Sequence, residues 1–306
     1  MKCKLTIFTP TYNRANLIDK LYKSLTQQTN KNFVWLIVDD GSTDNTQKVI
    51  KKYSQENKIN INYVVKENGG KHSAMDLAHS ICETEYIACV DSDDYLLENA
   101  VENIYSCINK INKDDCVGIL GKKFSTSLKA LGEGWPTDGE YIKFYELGQK
   151  YGYKADTFLI FKTDIVKQFR FPKIEGEKFV TEKVLYNQFM FDHTLFVTST
   201  VDYVADYQSD GYTSGALRLL FNNKKSCLYA FKSDAYYFTK YGASIKDVVF
   251  AWARFYAWRR LNKFKNLYSD ELNIKTPKKI WGWAMSFIFY FRYKKKYKMF
   301  KAQTKA

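Results

Sequence analysis

Proline is scarce, at four in 306 residues, and the 15 glycines gather in no polar tract. That argues against a disordered chain or a string of domains on linkers. The six cysteines include no CxxC pair and no even spacing. They do not form a disulfide framework, and reduced thiols in a cytosolic protein are the simpler expectation. No run approaches 18 uninterrupted apolar residues, so no ordinary transmembrane helix is expected. The N-terminus reaches polar Thr9 after only a short apolar stretch, so no signal peptide is expected either. No GxxxxGK[ST] occurs, which removes the P-loop nucleotide site. The three histidines, His72, His79 and His193, have no metal-ligand spacing. His72 lies beside Lys71 and would share any phosphate that Lys71 meets; otherwise scattered histidines read as surface or core residues.

Acid is what the last third lacks. Residues 215–306 carry 21 basic and 4 acidic side chains, whereas residues 1–120 carry 14 and 16. A surplus so confined points to an anionic partner surface. No nucleic-acid-binding motif accompanies it, so a bilayer is favoured and nucleic acid is not expected. Hydrophobic residues make up 45% of the chain, enough for a sizeable core.

Apolar runs alternate with helix-period segments over the first 120 residues. Leu5–Phe8, Val34–Val38, Ile61–Val65 and Tyr86–Val90 read as strands. Between and after them, Leu17, Leu21 and Leu25, then Val49 and Tyr53, then Ala74 and Ala78, then Val101 and Ile104 keep helical spacing. Strand and helix in repeated alternation predict an α/β fold with a mostly parallel sheet between helices, its apolar strands buried on both sides. Val117–Leu120 and Thr157–Phe161 are further strands, the glycines around Gly134 mark a loop, and the pattern turns helical from 216. We divide the chain into 1–215, with ligand binding mainly in 1–120, and a basic, aromatic helical region, 216–306.

In open α/β sheets, ligands bind beyond the carboxyl ends of the strands. The four strands end in Thr9-Pro-Thr-Tyr-Asn-Arg14, Asp39-Asp-Gly-Ser-Thr-Asp44, Lys66-Glu-Asn-Gly-Gly-Lys71 and Asp91-Ser-Asp-Asp94. Alternate carboxylates at a strand end suit Mg²⁺ or Mn²⁺ bridging phosphate oxygens, although a helix-capping acidic loop reads the same way. Asp39 and Asp40 fit a base edge or a ribose hydroxyl, or simply a strand-ending turn. Asn68-Gly-Gly-Lys71 lets backbone approach a ligand and offers Lys71 to a phosphate, or is a plain turn before a helix.

Together, in this order and spacing over residues 4–120, these segments resemble the inverting glycosyltransferases of family 2, with their GT-A fold. The resemblance implies a nucleotide-diphosphosugar donor, most often UDP-linked, and synthesis of bacterial surface polysaccharide. It puts Thr9, Asp39 and Asp40 near the nucleoside and Lys71 near the base or phosphates, with Pro10, Tyr12, Arg14, Asn68, Gly70 and Ser92 also binding the nucleotide-sugar. Asp91 then faces the ribose or sugar, and Asp93 ligates Mn²⁺ or Mg²⁺. Direct displacement also needs a carboxylate to take the acceptor's proton. The family's usual Glu-Asp pair stands here as Glu182-Lys183, so Glu182 is the expected base and Glu177 the second choice. Tyr207–Ser214 resembles a late segment near the diphosphate or acceptor. The implied acceptor is a glycan, polyprenyl-diphosphate-linked, at the cytoplasmic leaflet.

Ile280–Phe291 is a 12-residue apolar stretch followed by Arg292-Tyr-Lys-Lys-Lys-Tyr-Lys298. It is too short to span a bilayer and suits a headgroup boundary, so peripheral membrane contact is expected. Trp252, Phe255 and Trp258, with Arg254, Arg259 and Arg260, are expected to extend that face. Two other readings compete. A non-catalytic membrane adaptor is kept open by the absent carboxylate at 183, and a nucleotidyltransferase is disfavoured by TPTYNR at residues 9–14.

Overall fold

The computed structural model describes residues 3–206, 208, 215–265, 267–268 and 276–303. The chain divides into two compact units, Met1–Arg170 with Asp192–Gln208, and Phe171–Phe191 with Ser209–Ala306. The first unit begins β1 (Leu5–Thr11), α1 (Ile18–Thr26), β2 (Phe33–Asp39), α2 (Thr46–Glu56), β3 (Asn60–Val65), α3 (Lys71–Ile81), β4 (Tyr86–Cys89), β5 (Tyr95–Leu96) and α4 (Ala100–Lys110). It continues through β6 (Cys116–Ser125), β7 (Tyr141–Ile142), α5 (Phe144–Gln149), β8 (Thr157–Lys162) and α6 (Thr163–Val166). After α7 (Lys183–Tyr186), which belongs to the second unit, the chain returns as β9 (Thr194–Ala205).

All these strands join one sheet, ordered β3-β2-β1-β4-β8-β6-β9-β5, with β7 against β9. Strands β3, β2, β1 and β4 are parallel, whereas β8 lies antiparallel between β4 and β6. The expected α/β architecture is present, with the mixed half of the sheet added to the parallel one. Leu5, Ile7, Trp35 and Ile37 of β1 and β2 pack with Ile18, Leu21 and Leu25 of α1 in one core cluster. The spacing of those α1 residues puts all three on one helix face.

Burial on both sides holds for β1 and β2 but not for β3, whose residues alternate between exposed and half-buried. As the edge strand it has a neighbour on one flank only. β9 was not expected as a strand. Polar Thr198, Ser199, Thr200 and Asp202 interrupt its alternation, and the register against β6 shifts between Gly121 and Lys123. Pairing to β6 holds it extended regardless.

In the second unit α7 is followed by α8 (Ala216–Asn222), α9 (Lys224–Lys240), α10 (Ile245–Leu261) and α11 (Lys278–Gln303). The helical character expected from 216 is therefore observed. Segment 171–191 groups with these helices through definite contacts. Lys183 pairs with Asp234 at 2.8 Å, Asn187 donates to Asp234 and Ser233, and Phe191 stacks on Tyr237 and Tyr241.

Trp252, Phe255 and Trp258 are buried with Phe221, Leu228 and Tyr293 in the core of this unit. They do not extend an exposed face of the C-terminal region, contrary to the expectation from their spacing. Each buried ring of that size is worth roughly 2–3 kcal/mol, which is why burial prevails over display. Gly282 lets α11 close on α10, since a Cβ there would stand 2.4 Å from Trp252 Cβ. The six cysteines are free thiols. Among the described residues no helix is long and apolar enough to cross a membrane.

Candidate active site

Parallel register brings the strand ends level. Thr11 pairs with Asp39, and Asp39 with Val65, while Asp40 N–H donates to the Thr11 carbonyl at 2.8 Å and Val90 N–H to Phe8 at 2.8 Å. The segments after β1, β2, β3 and β4 therefore gather at one edge of the sheet, as their order along the chain predicts.

The two carboxylates at the end of β2, Asp39 and Asp40, are 1% and 4% exposed, and both hold the protein itself. Asp39 accepts from Ser42 N–H at 2.7 Å and from the Tyr63 hydroxyl at 2.5 Å. Asp40 accepts from Lys66 Nζ at 2.8 Å, Gly69 N–H at 2.9 Å and Gly70 N–H at 2.6 Å. Gly70 presents that N–H from φ +91°, which favours glycine. Asp40 thus ties the Asn68-Gly-Gly-Lys71 turn to the end of β2. Asp40→Ala strands two N–H groups and a half-buried ammonium, and is expected to cost about 3–5 kcal/mol. Urea denaturation at pH 7.5 measures it, and a loss under about 1 kcal/mol contradicts the tethering role. Neither Lys66 nor Tyr63 stands out in the sequence as a partner, because register alone sets them opposite these carboxylates.

Beyond β4, three carboxylates crowd together in unequal states. Burial pushes the Asp91 carboxyl up, but Lys71, at 2.6 Å, and Lys123 hold it below the usual range. Asp94 is buried and accepts from the Tyr203 hydroxyl and, at 2.7 Å, from Asp206 N–H, yet burial and Asp91 still raise its pKa. Asp93 is pushed up to about 6 by burial and by the charges of Asp91 and Asp94. Asp93 and Asp94 stay raised although Lys71, Lys123 and Arg14 lie nearby, which is an electrostatic condition that favours drawing in a divalent ion. Tyr203 and Lys123 come from β9 and β6, more than 25 residues from the motif, so no spacing rule reveals them.

The remaining predicted residues behave differently from one another. Thr9 is wholly buried and its hydroxyl accepts from Trp35 Nε1–H at 2.9 Å. Its side chain is therefore part of the core, held against Trp35. Pro10 is likewise buried, within β1. Two residues on, the Thr11 hydroxyl is buried at the strand's end without a hydrogen-bond partner among the described residues, an orphan worth about 1–3 kcal/mol if satisfied. Tyr12 is exposed, and Arg14, Asn68 and Lys71 are partly so, at the same edge. Ser92 is buried between the acidic residues. His72 and His79 are buried, and burial lowers both, His79 to about 4.

Residues 6–170 match the description "Glycosyl transferase family 2". The chain belongs to glycosyl transferase family 2. A Campylobacter jejuni relative, a GalNAc(5)-diNAcBac-PP-undecaprenol beta-1,3-glucosyltransferase, is 26% identical over 228 residues, covering 70% of this chain and 68% of its own. Of two longer curated relatives the chain spans only 16% and 14% of the length. Among solved structures, TarS 1-349 of S. aureus in complex with UDP aligns with a TM-score of 0.61 at 20% identity, covering 89% of this chain and 75% of that one. A mannosyltransferase, PcManGT from Pyrobaculum calidifontis, in complex with GDP-Man and Mn²⁺, aligns at 0.54 and 14% identity, covering 95% and 88%. These structural likenesses show the shared GT-A fold.

For a family 2 chain the metal question turns on Asp93. Among the described residues no three His, Cys, Asp or Glu are arranged to hold an ion by themselves. A Mg²⁺- or Mn²⁺-type site does not need such a cage, since one or two carboxylates complete it with substrate phosphates and water. Under-neutralised Asp93 and the orphan Thr11 hydroxyl fit an anionic ligand and its cation.

In the second unit, the two base candidates differ. Both oxygens of Glu177 accept backbone N–H groups in the first turn of α9, Lys225 at 2.9 Å and Ser226 at 2.7 Å. Glu177 therefore caps a helix, a structural task for which the resemblance offered no hint. Half-buried Glu182 opens α7 and accepts from the Tyr186 hydroxyl at 3.2 Å. Lys183, standing where the family's second carboxylate is usual, is taken up by Asp234. Of Tyr207–Ser214, all but Gln208 lie outside the described residues.

Proposed function

We propose that this chain moves a sugar from a nucleotide-diphosphosugar, UDP-linked, to a growing surface glycan, with inversion at the anomeric carbon. What carries the reading is the carboxylate edge, where Asp93 lies among charges that its neighbours do not neutralise. A divalent ion bound there, Mn²⁺ or Mg²⁺, would neutralise charge growing on the leaving diphosphate. Lys71 is then available to a phosphate once it exchanges Asp91 for the incoming anion, and the Thr11 hydroxyl gains a partner. Tyr12, Arg14 and Asn68 complete the donor side. The acceptor hydroxyl attacks the anomeric carbon as the bond to the diphosphate oxygen breaks, and its proton passes to Glu182.

The acceptor we favour is polyprenyl-diphosphate-linked, at the inner face of the cell membrane. The undecaprenol in the Campylobacter relative's name and the basic C-terminal region support that choice. Calorimetric titration of UDP with and without Mn²⁺ tests the donor site. A micromolar to millimolar Kd that disappears without the ion is expected. No binding in either condition refutes the enzyme and leaves the adaptor reading. A nucleotide-sugar panel, read by UDP release, then identifies the donor.

A further inference from the structure

Helix α11 has two apolar faces. One packs inward, with Gly282, Ser286 and Tyr293 buried and Phe289, Tyr297 and Phe300 lying on the core of the second unit. On the opposite face Arg260 lies over the Phe287 ring, and the large apolar side chains there are exposed among the described residues. Ile280, Trp281, Trp283, Phe287, Ile288 and Phe291 are between 44% and 71% exposed. At 100° per residue, positions 280, 287 and 291 form one stripe, with 281, 283 and 288 on its flanks. Six large apolar side chains on one surface make a grouped patch, beyond the scattered exposure ordinary for a soluble surface.

The same stripe continues into exposed Lys294, Lys295 and Lys298. The whole 26-residue helix holds eight basic residues and no acid. We infer that α11 lies in the plane of an anionic lipid surface, its first half immersed to headgroup depth and its second half on the phosphates. An apolar stretch of 12 residues measures about 18 Å, well short of the roughly 30 Å hydrocarbon layer, so the helix lies on the bilayer without crossing it. The tryptophans suit the interface, and the lysines supply the charge complementarity to lipid phosphate. A second copy of this chain is the poorer occupant. Parallel pairing of two stripes would juxtapose their lysines, and the helix carries no carboxylate to relieve them. The inference takes from the proposed function only its lipid-borne acceptor, and its test does not depend on catalysis.

Flotation of the full chain with phosphatidylcholine vesicles, with and without 30% phosphatidylglycerol, provides that test. We expect flotation on the anionic vesicles alone, accompanied by a blue shift of tryptophan emission from Trp281 and Trp283. Combined K294Q, K295Q and K298Q should weaken anionic partitioning roughly a hundredfold, from about fivefold per charge. Combined W281S, F287S and F291S should abolish it while leaving metal-dependent donor hydrolysis, measured without vesicles, at the wild-type rate. Those side chains are exposed, so circular dichroism should show both variants folded. Equal flotation of the wild type and both variants overturns the proposal. So does a stable dimer that W281S, F287S and F291S dissociate while no vesicle binds. Vesicle binding without any donor hydrolysis would sink the glycosyltransferase reading and leave this one standing.

Discussion

Asp93→Asn is expected to reduce metal-dependent turnover by about a thousandfold or more and, at the same time, to make the apo protein more stable. The first effect follows from removing the charge proposed to meet the ion, for which a neutral amide is a poor substitute. The second follows from the strain that charge imposes. The folded Asp93 carboxyl titrates near 6, above its ordinary 3.8. Folding therefore favours the protonated form, and the penalty grows as pH rises from about 4 through 6, reaching its full size above that. A shift of this kind is worth about 2 kcal/mol after allowance for partial exposure.

A thermal melt at pH 8 should accordingly show Asp93→Asn several degrees above wild type. At pH 4 the two should nearly coincide. Adding Mn²⁺ and UDP should raise the wild-type melting temperature and not that of the variant. An Asp93→Asn protein that turns over normally removes the metal role. One that is less stable at pH 8 removes the electrostatic account of the site.

Glu182→Gln should lower sugar transfer by roughly 10²–10⁴, the range for loss of a general base, with UDP affinity unchanged within about twofold. The amide preserves shape and hydrogen bonding but takes no proton. Glu177→Ala provides the contrast. It removes the acceptor for two N–H groups of α9 and should cost about 1 kcal/mol of stability with little change in the rate of transfer. Steady-state kinetics paired with denaturant melts separate the two roles. A normal rate for Glu182→Gln would move the base to another residue. A large rate loss for Glu177→Ala without loss of stability would reverse the assignment.

The parallel half of the sheet was legible because each of its strands is a short apolar run ending in a polar segment, with a helix-period stretch between them. Such patterning is local, and order along the chain dictates which ends align. β9 was not legible, since Thr198, Ser199, Thr200 and Asp202 read as loop until β6 lies beside them. Thr9 and Trp258 show the same limit in another form. Both carry groups that serve equally for contact with a ligand or a lipid and for a core, and burial chose the core.

Within the candidate site, the residue types and their order were written in the sequence: TPTYNR, DDGSTD, NGGK and DSDD. Their division of labour was not. Asp39 and Asp40 hold turns, Asp91 pairs with Lys71, and Asp94 is held by Tyr203, which leaves Asp93 as the least compensated charge. In the second unit Glu177 is a cap and Lys183 a partner for Asp234. Composition and periodicity act along a few neighbouring residues, so the sequence by itself determined the alternation, the acidic strand ends and the basic C-terminus. Charge compensation and burial are set by groups far apart along the chain, as Asp206 is from Asp94, 112 residues away. Only the tertiary structure decided how each carboxylate is compensated and, among the described residues, which apolar side chains of α11 stay exposed.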